Sequence, residues 1–140
     1  MATVAIIQNL HSILHMEDTK TLSGMGKMMY TKFYDVLVEE SGHNIHMSRD
    51  LDTHLLKYKD EVPDMVICTP LPETGNLAPG LRELKRIREA FPKAPVVVWS
   101  NREEAAIQKT VTEEYGAVRY YNGSILDCAD DFADIILEYT

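Results

Sequence analysis

Short apolar runs alternate with longer amphipathic stretches along the whole chain. The runs are TVAII at 3–7, NIHMS at 44–48, DMVIC at 64–68, APVVVWS at 94–100 and AVRYY at 117–121. Met65 to Cys68 and Val96 to Val98 show no polar alternation, as expected of strands in the middle of a sheet covered on both faces. Helical spacing occupies 27–40, 51–60, 79–90, 102–115 and 125–138, with SGHN, VPD, FPKAP and YGA at several of the ends. In the third helix Leu81, Leu84, Ile87 and Arg88 recur after Gly80, and Pro92 and Pro95 stop it ahead of the next strand. Alternation with short joints predicts an α/β domain, a parallel sheet with helices on both faces. Such a sheet gathers ligands and chemistry at the carboxyl ends of its strands. Here those ends are Gln8 and Asn9, Thr69, Ser100 with Asn101, and Asn122 with Gly123.

Two helical segments carry more than a core-facing stripe. In residues 25–38, Met25, Met29, Phe33, Val36 and Leu37 form one apolar stripe, and Tyr30, Tyr34 and Val38 form a second. A helix apolar on two sides must be covered on both, either by residues 9–24 or by another protein. The last helix turns Cys128, Phe132, Ile135, Ile136 and Tyr139 inward and lines its outside with Asp127, Asp130, Asp131, Asp134 and Glu138. That outer face is either a solvated surface or a strongly acidic partner face.

Composition narrows the functional classes. A chain of 140 residues suits one domain with its own core, and a net charge of −8 argues against a general nucleic-acid surface. The two cysteines, Cys68 and Cys128, form no CxxC pair and suit a reducing compartment. MATVAIIQNLHS lacks the flanks of a secretion signal, and there is no run of about 18 apolar residues to span a bilayer. The expectation is a soluble cytoplasmic protein. LPETG at 71–75 matches a sortase pentapeptide but sits far from the carboxyl end, where cell-wall sorting would need it. SGMGK at 23–27 lacks the first glycine of a phosphate loop, because Thr21 holds its place, and Met28 replaces the Ser/Thr. His11 and His15 form an i, i+4 pair with no convincing third ligand, so no metal site is expected.

VPDMVIC, GLRELKRIREAFPKAPVVVWS and EEYGAVRYY together resemble the third strand, third helix with fourth strand, and fourth helix with fifth strand of a response-regulator receiver domain, the CheY-like family. The resemblance spans residues 40–138 in order and spacing. It implies a flavodoxin-like (βα)5 fold, a doubly wound five-stranded parallel sheet of strand order 2-1-3-4-5. A working receiver needs acidic residues after the first strand for Mg²⁺, an aspartate after the third to accept a phosphoryl group, a Ser or Thr after the fourth and a lysine after the fifth. On the resemblance, the aspartate position falls on Thr69 and the lysine position on Gly123, while Ser100 keeps the hydroxyl and Tyr120 the switch aromatic. Two registers stand open for the first strand. If it is Thr3 to Gln8, Gln8 and Asn9 replace the acidic pair; if it is Ser12 to Met16, Glu17 and Asp18 supply it and could hold a metal. Thr3 to Ile7 is the more β-like run.

The resulting expectation is a single degenerate pseudo-receiver with an enlarged β1–α1 region. It works by protein contact without phosphorylation, catalysis or a cofactor, and it binds neither nucleic acid nor membrane. Its partner is another protein or a second copy, met through Tyr30, Tyr34 and Val38 or through Asp127, Asp130, Asp131 and Asp134. The rival is a small-molecule or nucleotide-binding domain of the same fold, enzymatic or not, that uses the strand ends.

Overall fold

The computed structural model describes residues 1–8, 33–72, 74–123 and 128–140. Strands β1 (Thr3–Gln8), β2 (Asn44–Ser48), β3 (Met65–Thr69), β4 (Val96–Trp99) and β5 (Arg119–Tyr121) form one parallel sheet in the order β2-β1-β3-β4-β5. Helix α1 is described over Tyr34–Glu40 and wound there as a π-helix. It is followed by α2 (Leu51–Lys57), α3 (Ala78–Ala90), α4 (Ala105–Lys109, continued by a π-helical Thr110–Glu114) and α5 (Cys128–Tyr139). This is the fold expected from the alternation of elements. The first strand takes the Thr3–Gln8 register, with Val4 opposite Met65 and Gln8 opposite Thr69.

The apolar pattern follows the sheet order. β3 and β4 are buried at every position, and β1 at all but its first. The two edge strands, β2 and β5, are buried only in part. A parallel strand clad on both faces needs apolar groups at odd and even positions alike, whereas an edge strand needs fewer. On one face Val4, Ile6, Met65, Ile67, Val97 and Trp99 meet Phe33 and Leu37 of the first helical segment and Phe132, Ile135 and Ile136 of α5. On the other, Ala5, Ile7, Val66, Cys68, Val96 and Val98 meet Leu51, Leu84, Ile87, Phe91, Ile107 and Val111.

Local signals set the helix ends. Asp50 caps α2, its carboxylate accepting from Thr53 N at 2.7 Å, and that bond holds its pKa below the ordinary carboxylate value. Asn76 Oδ1 accepts from Ala78 N at 3.0 Å at the start of α3, and Pro79 lies in the first turn. Gly80 lies so close to the preceding loop that a Cβ there would stand 2.6 Å from the Pro70 carbonyl oxygen. Helices expected at 51–60 and 102–115 are trimmed to Leu51–Lys57 and Ala105–Glu114, and the one expected at 125–138 is described over Cys128–Tyr139, one residue past its expected end. Thr69, expected just beyond the third strand, is its last residue.

Phe132 is the hub of the α5 face. Its ring meets Phe33, Trp99 and Tyr121 edge-on, at centroid distances of 6.4, 5.1 and 5.0 Å. Phe132→Ala should therefore destabilise the protein by about 3–5 kcal/mol in urea unfolding, and Phe132→Leu by clearly less. A loss under about 1 kcal/mol for the alanine variant would remove Phe132 from this role.

Candidate functional site

The carboxyl ends of the strands bring most of the expected site residues together. Register places Gln8, Thr69, Trp99 and Tyr121 level with one another across β1, β3, β4 and β5. Strand alternation turns them to the α5 face, two residues beyond Ile6, Ile67 and Val97 in the first three strands. Gln8 is 1%, Thr69 2% and Ser100 3% exposed. Gln8 Oε1 and Thr69 Oγ1 find no hydrogen-bond partner among the described residues. The last residues of the five strands are Gln8, Ser48, Thr69, Trp99 and Tyr121, none of them a carboxylate. Burial without a partner costs a neutral group far less than a charge; an unpaired carboxylate in the same place would not stay ionised.

Ser100 and Tyr120 are fastened to the loop after β4. The Ser100 hydroxyl accepts from Arg102 N at 3.1 Å, and the Ser100 carbonyl from Asn122 Nδ2 at 2.9 Å. The Tyr120 hydroxyl donates to the Arg102 carbonyl. Burial raises the pKa of that hydroxyl above the ordinary phenol value, and the nearby Glu104 adds to the shift, so Tyr120 stays a neutral donor.

Arg102 is the residue the sequence reading missed. Its Nη1 donates to the Gly75 carbonyl at 3.0 Å, and its Nη2 lies 3.4 Å from Glu104 Oε1. The guanidinium thereby bridges the β4–α4 loop to the β3–α3 loop. An arginine in a loop carries no sequence signal that names a carbonyl 27 residues away.

Gly123 has a steric reason. A Cβ there would stand 2.4 Å from the Tyr121 hydroxyl oxygen and 2.6 Å from Cζ. Tyr121 cannot yield easily, because its ring packs on Phe132 and its hydroxyl donates to Asp131. Trp99 Nε1 adds a bond to the Gly123 carbonyl at 3.1 Å. The tyrosine therefore fills the space into which a side chain at 123 would grow. Asp131, read from sequence only as part of an acidic outer face, is also the acceptor that fixes this tyrosine.

The acidic face itself is partly described. Asp130, Asp131 and Asp134 are exposed on α5, and Glu138 pairs with Arg119 at 2.9 Å. Asp127 lies outside the described residues, as do Asn9, Glu17, Asp18, Tyr30, Met25, Met29, His11 and His15. Tyr34 and Val38 lie on α1. Among the described residues no group of three His, Cys, Asp or Glu is placed to hold a metal ion. No described helix is long and apolar enough to cross a membrane.

Beside the strand ends, on the α2–α3 side, lies an open cleft of about 410 Å³. Prolines 70, 72 and 79 wall it together with Thr69, with Ile7, Gly80 and Ile87 also lining it and Arg49, Asp50, Asn76 and Glu83 as polar groups. Cys68 is nearby in sequence, but burial raises its thiol pKa strongly, which leaves it a poor nucleophile.

No protein-family model matches the chain, and no curated relative matches it in sequence. Solved structures do. The chain is similar to the chemotaxis protein CheY4 of Vibrio cholerae at 12% identity and a TM-score of 0.64, over 100% of this chain and 99% of that one. It is similar to the receiver domain of NtrC4 from Aquifex aeolicus at 15% identity and 0.62, over 99% and 96%. A third likeness is to the response regulator TrrA of Thermotoga maritima, in complex with Mg²⁺-BeF, at 14% identity and 0.60, over 100% of both chains. At these identities the likeness establishes the CheY-like receiver fold.

Gly123→Ala should lower stability by about 1–3 kcal/mol, because the new methyl overpacks against a ring that is held in place. Denaturant unfolding measures it; a neutral result would mean that Tyr121 moves aside freely.

Proposed function

We propose that the chain is a phosphorylation-independent pseudo-receiver, a signalling module that acts by protein contact and carries out no chemistry of its own. The observation that supports this best is the buried neutral row at the strand ends. With Gln8, Thr69 and Tyr121 in line, none of the described residues that end the five strands is a carboxylate that could receive a phosphoryl group or draw in Mg²⁺. The position that a lysine would take is Gly123, and the Tyr121 ring closes the space above it. Ser100 and Tyr120, the two groups that a receiver would use to report phosphorylation, are held by the Arg102 backbone.

The same reading takes the chain as one domain with an enlarged β1–α1 connection, β1 ending at Gln8 and the described helix resuming at Phe33. Its docking face is the outside of α5 with Asp130, Asp131 and Asp134, joined by the Tyr30, Tyr34 and Val38 stripe read from the sequence. A basic protein surface complements the acidic part, and the overall charge of −8 makes a second copy the weaker candidate.

Mg²⁺ with beryllofluoride, which occupies the related structure of TrrA, tests the first half of this reading. Titrated into the labelled protein, it should leave the amide resonances of Thr69, Ser100 and Tyr120 in place, and acetyl phosphate should add no mass. A saturable shift confined to those residues would overturn the reading.

A second reading, a small-molecule-binding domain, is favoured by the proline-walled cleft, whose volume of about 410 Å³ suits a small ligand. Native mass spectrometry of the freshly purified protein separates the two. A bound species that is lost on Glu83→Ala supports the cleft, and a bare polypeptide mass supports the contact module.

A further inference from the structure

We propose that His54 is a proton-operated latch that holds the last turn of α2 on the sheet and releases it as the medium turns mildly acidic. Helix α2 has seven residues, too few to stand without tertiary contacts. Its first turn is tied from outside, where Asp52 meets Arg86 at 2.6 Å and Leu51 N approaches Glu83 at 3.4 Å. Its last turn is held by His54, 1% exposed, whose carbonyl accepts from Tyr58 N at 2.9 Å.

The His54 ring sits in an aromatic box. Phe91, at the end of α3, meets it edge-on at 5.6 Å and 86°, and Tyr58 lies at 5.1 Å. His46 of β2 lies at 6.5 Å and stacks on Tyr58 at 3.9 Å, with the planes 1° apart. Neither nitrogen of His54 finds a hydrogen-bond partner among the described residues. The titratable and charged groups around the box are His46 from β2, Tyr58 and Lys57 from the end of α2, and Glu61 from the following loop. Phe91, the contact from α3, carries no charge. Among the described residues Glu61 is the carboxylate acting on the box, half exposed and already 3.0 Å from His46 Nε2. A proton taken up by His54 in place would therefore be a buried charge without an acceptor of its own.

The direction follows from this. Burial first, then repulsion from His46, lowers the pKa of His54 in the closed state, with Glu61 opposing weakly. An opened last turn puts the imidazole in water, where its pKa is about 6.5. The opened form then binds the proton more tightly, so opening is favoured as pH falls below about 6.5. One proton per opening event sets the limit, about tenfold in the opening equilibrium per pH unit, until the lowered closed-state pKa is passed. Opening frees the end of α2 next to the exposed Leu55 and Leu56, while β1, β3 and β4 keep their own cover.

Hydrogen exchange read by NMR between pH 7.5 and 5.0, corrected for intrinsic rates, tests it on the whole chain, with the histidine rings titrated in the same samples. The protection of amides 55–58 should fall by up to about tenfold per pH unit below about 6.5, while β3 amides keep theirs. His54 should titrate below the ordinary value. His54→Leu should flatten the α2 profile, and His46→Gln should retain it. The proposal fails if His54 titrates at or above 6.5, if amides 55–58 follow β3 at every pH, or if His46→Gln removes the effect while His54→Leu leaves it. Should the leucine variant not fold, the titration and the exchange profile of the unmodified protein decide between these outcomes.

Discussion

Three adjacent strands, β1, β3 and β4, are covered above and below, and almost every other property of the molecule follows from that double cover. It demands apolar side chains at consecutive positions, which removes polar groups from the body of the sheet and leaves them only where strands stop. The chemistry of the carboxyl ends is thus set by a handful of residues. In this chain those residues are an amide, hydroxyls and aromatic rings, and none of them needs a counter-ion.

Neutrality has a structural consequence. Charged strand ends have to be kept open to water or to a cation, because the desolvation of an unpaired carboxylate is costly. Gln8, Thr69 and Ser100 need no such opening, and each is almost wholly buried, Thr69 at the border of the cleft. Tyr121 fits the same logic, occupying space at the end of β5 that a long side chain at Gly123 would otherwise sweep. The ring is secured from the surface by Asp131, so one residue of the acidic helix belongs both to the exterior and to the sealed end.

Much of this was legible in the chain, and the reason differs from residue to residue. Met65 to Cys68 and Val96 to Val98 disclose central strands because unbroken apolar runs have no other comfortable place in an α/β layer. Asp50 was not read as a cap, and the helix it starts stops at Lys57, because α2 ends where Tyr58 turns back onto His54. The neutral identity of Thr69 was visible at once, whereas its burial depends on the level of β1 and β4 beside it. Arg102 and the Tyr121–Asp131 pair were invisible, since each joins groups on different elements and neither has a local period. His54 has nothing in its local sequence to mark it as buried; it lies inside because β2 and the end of α3 close over it.

The near contact of Gly80 with the Pro70 carbonyl has a consequence for motion. Backbone meets backbone there, with the Pro70 carbonyl and Leu71 Cα against Gly80, so a displacement of one against the other finds little slack. Pro70, Pro72 and Pro79 also remove soft φ torsions from the segment that joins them. On the nanosecond scale of ordinary loop motion, Pro70 and Leu71 should travel with the first turn of α3, and that rim of the cleft keeps its shape whether or not anything occupies it.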